Sequence, residues 1–339
     1  MKKTLLLFLT VVFVFTGCGS KTSVKKTEFI FDTVCTITLD NATDSEIDGA
    51  FSLCKKYDNL FNSKNKSSEI YKLNYADGKF VEVSADTAEI IKKAVEFSKI
   101  GNGAFDISAG RLIDLWDFKS NNPDIPNDKD IKSALGSVGY ENIITDGNKI
   151  KLKNNSKIDL GGIAKGYIAD KLREDLKEKG IGGGIISLGG NIVVFGEKSR
   201  NIAIQKPFSE NGEYSAIIKI SNGSVVTSGI YQRYFKKNGK IYHHILNTAD
   251  GYPIENELNS VTIISKNSVD GDALSTLCFC SGYENSVKIL KQFKDTEAVF
   301  ITRQNKILTT DGLDVQYNSE NIPVIFKNNT SNQTEIIVK

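Results

Sequence analysis

Glycines placed between a strand signal and a helix signal restrict this chain more than any other feature. Residues 158–160 read as the end of a strand, and Gly161-Gly162 breaks it. Residues 163–179 then carry a helical stripe of Ile163, Tyr167, Ile168, Leu172 and Leu176, with Gly180 beyond it. Glycines at such a junction let backbone N–H groups approach a ligand, and the N-terminus of a helix favours anions. Lys165 adds a full positive charge on the first turn. The string is neither GxxxxGK[ST] nor GxGxxG, so the ordinary nucleotide loops do not explain it. On glycine content alone a tight strand-to-helix turn is the favoured reading; a diphosphate cradle needs support from elsewhere.

The flanking patterns mix helices and strands without a strict βαβ rhythm. Residues 29–39 alternate and are β-branched, which predicts one strand. Helical spacing covers 44–60 and 85–100, the second with Ser84 as cap and Gly101 as stop, and part of 107–118. Residues 143–153, turning at Asp146-Gly147-Asn148, predict a hairpin. Strands are expected at 185–188, 192–195, 202–205, 214–220, 224–227 and 260–265. A helix is expected at 270–281, stopped by Gly282, and a last hairpin at 298–302 and 306–309. The expected class is α+β, with mixed sheets and packed helices. Residues 28–326 approach the upper size for one core, about 300 residues, so they form one large domain or two intimate subdomains. The Asn/Thr-rich residues 327–339 are expected to be a loose tail.

The N-terminus carries export signals. Lys2 and Lys3 precede an apolar run from Leu5 to Phe15, interrupted only by Thr10 and followed by Thr16-Gly17-Cys18. The run is shorter than the roughly 20 residues that span a bilayer. Its end resembles a bacterial lipobox. Residues 1–17 would then be a signal peptide, Cys18 the lipidated N-terminus, and 18–27 a tether on the outer face of the membrane. The formal net charge of +2 gives no electrostatic case for nucleic acid. Cys35, Cys54, Cys278 and Cys280 are expected to be buried free thiols, because Cys278-Phe279-Cys280 lacks the CxxC gap. With only His243 and His244 in the chain, a His-rich zinc or copper site is not expected.

Other positions could carry chemistry. Asp272 and Thr276, four apart, share one face of a helix. Asp272 is expected in the first turn, where it or Asp270 could simply cap the helix; the functional alternative is a hard-cation site for Mg²⁺. Ala104-Phe105-Asp106 follows Gly101-Asn102-Gly103, and Thr227-Ser228-Gly229 runs a strand into a glycine. Alternation puts His243 and His244 on opposite faces, so at most one points into a given site.

Together these segments resemble the ApbE family of FAD:protein FMN transferases. The resemblance rests on Phe31-Asp32-Thr33, Ser68-Glu69-Ile70-Tyr71-Lys72-Leu73-Asn74, Gly103-Ala104-Phe105-Asp106, Asp159-Leu160-Gly161-Gly162-Ile163-Ala164-Lys165-Gly166, Ser187-Leu188-Gly189-Gly190-Asn191, Thr227-Ser228-Gly229, His243-His244-Ile245 and Asp272-Ala273-Leu274-Ser275-Thr276. It implies that Phe31, Ala104, Phe105, Asp106, Asp159, Lys165 and Ile245 line the site for FAD as substrate. It also implies that Asp272, Thr276 and the Gly162 carbonyl hold Mg²⁺, and that His244 lies near the reacting phosphate. FMN would pass to a threonine of another protein with release of AMP. The implied acceptor carries a Ser-Gly-Ala-Thr type sequence in a subunit of a redox complex of the Rnf or Nqr type. Rival readings are a hydrolase giving FMN and AMP, and a non-enzymatic flavin-binding lipoprotein. Two departures stand out: Phe31 replaces the family's usual Met, and Asn247-Thr248 replaces its Asp-Pro. Cys18→Ala is expected to release the protein from membranes or block its maturation; membrane fractionation identical to wild type would rule out the anchor.

Overall fold

The computed structural model describes residues 23–209, 212–310, 312–313 and 315–317, and the backbone at 324–326 and 336–338. The signal segment and Cys18 lie outside the described residues. In chain order, β1 (Val24–Ile30) and β2 (Thr33–Leu39) precede helices α1 (Asp44–Phe61) and α2 (Glu69–Asn74) and strand β3 (Val81–Glu82). Helices α3 (Ala85–Ile100), α4 (Gly110–Trp116) and α5 (Asp128–Leu135) lead to β4 (Ile143–Asp146) and β5 (Lys149–Leu152). Helix α6 (Ala164–Glu178) is followed by β6 (Gly184–Leu188), β7 (Asn191–Phe195), β8 (Arg200–Gln205), β9 (Tyr214–Ile220) and β10 (Gly223–Gly229). Then come β11 (Tyr234–Lys237), β12 (Lys240–His243), β13 (Leu258–Ser265) and α7 (Ser268–Leu290). The chain closes with β14 (Glu297–Thr302), β15 (Ile307–Thr310), β16 (Val315–Tyr317), β17 (Val324–Phe326) and β18 (Ile336–Val338).

The scaffold is a ten-stranded sheet in the order β1-β2-β6-β7-β10-β13-β14-β15-β17-β18. Its pairs are antiparallel except β15 with β17. Period-two alternation divides its apolar residues between two faces. Val193 joins the main core with α1, α3, α6 and α7, while its neighbour Val194 joins Ile202, Ile204 and Ile218 beneath the small sheet β16-β9-β8. A third cluster, with Leu112, Trp116 and Ile131 at its centre, packs α4 and α5 against Phe235 and Tyr242 of the β11–β12 hairpin. The Trp116 indole donates to Gly251 O at 2.7 Å, so its polar edge is satisfied. The class is α+β, as expected.

Several expectations need correction. Residues 29–39 form two strands of a hairpin, because Phe31 (φ 58°) and Asp32 (φ 54°) turn the chain in two residues. The ladder extends back to Val24 opposite Leu39, so the segment 18–27 is not a tether throughout. Residues 158–160 form no strand: the Asn74 amide takes over the pairing, donating to Ile158 O at 2.8 Å and accepting from Ile158 N at 2.7 Å. The stop expected at Gly282 is present: at φ 72° and ψ 169° it is non-helical, and α7 is two helices meeting there, the second opening where Glu257 accepts from Tyr283 N at 2.6 Å. The tail read as loose contains β18, which pairs antiparallel with β17.

Helices α6 and α7 hold each other by their ends. Asp170 of α6 accepts from Ser268 N (3.0 Å) and Val269 N (2.9 Å), the first two residues of α7. Asp272 of α7 accepts from Gly166 N at 2.8 Å, in the first turn of α6. Each carboxylate thus satisfies donors that the other helix cannot pair internally. Asp272 is therefore in the second turn of α7 and does not cap its own helix; neither does Asp270. Burial raises the Asp170 carboxyl pKa against the pull of Arg173, 2.8 Å away, and of the two N–H groups. The helices meet so closely that a Cβ on Gly166 would lie 2.3 Å from Ser268 O and 2.7 Å from Asp272 Cβ. Gly166→Ala is expected to cost about 1–3 kcal/mol in urea unfolding. The control Gly182→Ala, with nothing within 4 Å, should change stability by less than about 0.5 kcal/mol.

Candidate active site

The turn at 161–163 delivers the chain into α6. Neither Gly161 nor Gly162 has positive φ; proximity, not dihedral freedom, requires them. A Cβ on Gly162 would lie 3.0 Å from the Phe105 ring and 3.5 Å from Thr276 Oγ1, and one on Gly161 would lie 2.8 Å from Asp159 Oδ1. That Asp159 oxygen accepts from Gly161 N at 2.8 Å, while Asp159 N donates to Ile107 O at 2.8 Å. Asp106 accepts from Ser108 N at 2.8 Å, and burial pushes its carboxyl pKa up. Residues 105–107, Asp159 and Gly162 thus form one wall, with Ala104 at its start. Lys165 Nζ reaches back to Gly161 O at 3.2 Å and pairs with no carboxylate among the described residues.

Across from this turn, α7 presents Asp272 and Thr276 one helical turn apart. Asp272 is 3% exposed, and its Oδ1 takes no hydrogen bond from any described residue, Oδ2 being the atom that holds Gly166 N. Thr276 Oγ1 lies 3.1 Å from Ser228 Oγ, which also meets Ser275 Oγ at 2.8 Å, so the Thr227-Ser228-Gly229 end of β10 supports this face. Among the described residues no three His, Cys, Asp or Glu side chains gather as a metal-ligand cluster. One carboxylate, one hydroxyl and one backbone carbonyl are a hard-oxygen set that leaves most of a cation's shell to substrate and water.

The histidines occupy different environments. His243 is 2% exposed; Nε2–H donates to Ile254 O at 3.0 Å and Nδ1 accepts from Ile245 N at 3.4 Å. Burial lowers its pKa to about 4. His244 is half-buried, with Nδ1 3.2 Å from Arg233 O. A carbonyl only accepts, so Nδ1 carries the proton and Nε2 keeps its lone pair. Burial, followed by the nearby Arg233 charge, lowers the His244 pKa to about 3, and Lys165 contributes in the same direction. Ile245 is buried beside them. Arg233 also donates to Asp32 O at 3.4 Å, joining the histidine segment to the turn that holds Phe31. The departure at Asn247-Thr248 is accommodated: Asn247 Oδ1 caps its own turn at Ala249 N (2.9 Å), and Thr248 Oγ1 bonds Gly103 O (2.7 Å) in the wall segment.

A cavity of about 840 Å³ lies along β12, lined by Tyr242, His243, Glu255 and Arg303. It touches neither Lys165 nor Asp272, so its size does not mark the chemistry. Sequence reasoning missed Asp170 and the linking role of Arg233. An acid among Ile168, Ala169 and Leu172 was a signal for the first; nothing local marks the second. The free thiols are as expected for Cys35, Cys54 and Cys278, which are buried, whereas Cys280 is only partly covered.

The ApbE family model matches residues 31–300. An FAD:protein FMN transferase of Klebsiella pneumoniae (strain 342) is 36% identical over 262 residues, covering 76% of this chain and 82% of that protein. One from Treponema pallidum (strain Nichols) is 26% identical over 326 residues, covering 88% and 90%. The crystal structure of the ApbE protein from Thermotoga maritima superposes with a TM-score of 0.76 at 29% identity, covering 88% of this chain and 98% of that one. The Vibrio cholerae flavin transferase ApbE shares the fold, with a TM-score of 0.75 at 23% identity. Fold and relatives together define a transferase. The chain belongs to the ApbE family.

The two hydrogen bonds of His243 suit only its neutral form, because protonated Nδ1 would face another donor. Its pKa is about 4 folded against 6.5 ordinarily. The unfolded chain therefore binds more protons between those values, and stability is lost as pH falls through this window, by up to about 3 kcal/mol. Urea unfolding across this range should show that slope together with the like contribution of His244, and His243→Gln should reduce it by about half; an unchanged slope would assign the effect elsewhere.

Proposed function

We propose that this chain transfers FMN from FAD to a threonine hydroxyl of another protein and releases AMP. The observation that carries the reading is the meeting of Lys165, at the start of α6 and paired with no carboxylate among the described residues, with Asp272 and Thr276 on the facing side of α7. That is an anion site beside a hard-oxygen site, and a dinucleotide diphosphate needs both.

The acceptor oxygen forms a bond to the FMN phosphorus as the P–O bond to the AMP phosphate breaks, and the hydroxyl proton passes to a base. In such a transfer the barrier is mainly positioning and negative charge. Lys165, on the first turn of α6, binds the diphosphate oxygens. His244, whose Nε2 has no hydrogen-bond partner among the described residues, is placed to accept the proton. Phe31, Ala104, Phe105 and Ile245 supply apolar contact for the rings, and Asp106 and Asp159 supply acceptors. The oxygens of Asp272, Thr276 and Gly162 O would hold Mg²⁺, which when bound adds positive charge against the diphosphate and the leaving phosphate. We further read the protein as lipid-anchored outside the cell, where its acceptor would be a membrane redox complex.

Asp272→Asn keeps the shape and one acceptor for Gly166 N but removes the charge. It is expected to slow AMP release by about a hundredfold or more and to raise the Mg²⁺ concentration required. Lys165→Ala is expected to weaken FAD binding by about tenfold or more with an unchanged melting temperature. Direct FAD titration, AMP assay and mass spectrometry of a Ser-Gly-Ala-Thr peptide check these outcomes. Wild-type transfer and Mg²⁺ dependence in Asp272→Asn would remove Asp272 from the site.

A further inference from the structure

Four large exposed apolar side chains are used by nothing in the proposed mechanism: Phe29 (72%), Val34 (58%), Phe208 (43%) and Tyr234 (39%). Phe29 and Val34 face each other across the β1–β2 hairpin, one pair before its turn. Phe208 has φ 57° in a turn closed by Ser209 N donating to Lys206 O at 3.3 Å. After Pro207, this is the position of a type II turn where glycine is preferred. A phenylalanine there strains the backbone. Its ring is nevertheless exposed, resting on Tyr234 (5.5 Å between centroids) and Tyr231 (6.0 Å).

The two groups converge. β8 begins at Arg200, paired with Asp40 just beyond the end of β2, and runs away from it. A Cβ on Gly189 would lie 2.3 Å from Thr33 Oγ1 and one on Gly190 3.1 Å from Gln232 Nε2, so the 231–234 segment on which Phe208 rests lies at the end of the sheet where the β1–β2 hairpin turns. Arg233, next to Tyr234, donates to Asp32 O in that turn, and its carbonyl accepts from His244 Nδ1. An apolar lip thus runs from Phe208 through Tyr234 to the hairpin, with His244 bonded directly behind it.

We propose that this lip docks the polypeptide carrying the acceptor hydroxyl, as an extended segment with apolar side chains flanking its threonine. The inference rests on the transferase reading. A hydroxyl on a protein must be brought to His244 together with the chain that bears it, and the lip is the surface such a chain meets there. Water as acceptor would need no apolar lip and no strained Phe208. Asp32, the acid at the hairpin turn, is already paired with Lys119, so apolar contact rather than ionic attraction selects the segment.

The test uses full-length protein and two synthetic peptides: Ser-Gly-Ala-Thr flanked by Leu and Val, and the same core flanked by Ser and Gln. Variants are Phe208→Gly, which relieves the strained turn, and Val34→Thr, which keeps a β-branched residue in the strand. Both should keep wild-type FAD affinity and peptide-free AMP release. Both should raise KM for the apolar-flanked peptide about tenfold or more, erasing the wild-type preference over the polar-flanked one. Wild-type KM in both variants, or no flank preference in wild type, overturns the docking lip. The same follows if the variants lose only binding to phosphatidylcholine vesicles. If wild type releases AMP but modifies neither peptide, the transferase reading falls, and the lip with it.

Discussion

The structure depends on the exchange of carboxylates between α6 and α7. Asp170 holds the first N–H groups of α7, and Asp272 holds Gly166 N of α6. Neither helix begins with a side-chain cap of its own, so each start is defined by the other helix. This fixes the axial register of the two helices. It places the glycine turn at 161–163 opposite Thr276 and leaves the second oxygen of Asp272 clear of donors among the described residues. The close approach at Gly166 follows from the same register, since any side chain there would push the carboxylates off their targets. Site geometry and fold stability are therefore two readings of one set of contacts.

Much of the frame was legible because it obeys local rules. Ser84 accepts from Thr87 N at 3.3 Å and opens α3, with Gly101 as its C-cap, as the pattern at 84–101 implied. The hairpin at Gly147 and the β6–β7 turn at Gly189-Gly190 carry glycines at positive φ, which is what a sequence can advertise. Two of the failures share one cause, a long-range partner replacing a local signal. Residues 158–160 look like a strand, but the Asn74 side chain occupies the ladder position. The Asp272 cap lies 106 positions away, at Gly166, and no window of sequence contains both.

The site was legible as a set of motif residues but not as an arrangement. The glycines at 161–162 suggest backbone freedom, yet they serve proximity to Phe105, Asp159 and Thr276. Alternation separated the two histidines, and the hydrogen bonds give the separation its chemical content. His243 is protonated on Nε2 toward Ile254 O, His244 on Nδ1 toward Arg233 O. Adjacent residues thus hold opposite tautomers, one closed in the interior and one with a lone pair left over. Arg233 connects this pair to the Phe31 turn, and only its tertiary setting reveals that role.

The turn at Phe31-Asp32 has a consequence for anyone redesigning the chain. Both residues sit at positive φ, the backbone for which Asn-Gly is the natural two-residue solution. A stability-driven or consensus-style redesign would therefore write Asn-Gly there and gain rigidity. It would also delete a partly buried ring that packs on the main core, within two residues of the exposed Phe29 and next to the backbone that Arg233 grips. At this turn, foldability and purpose ask for different amino acids, and the chain has kept the less comfortable pair.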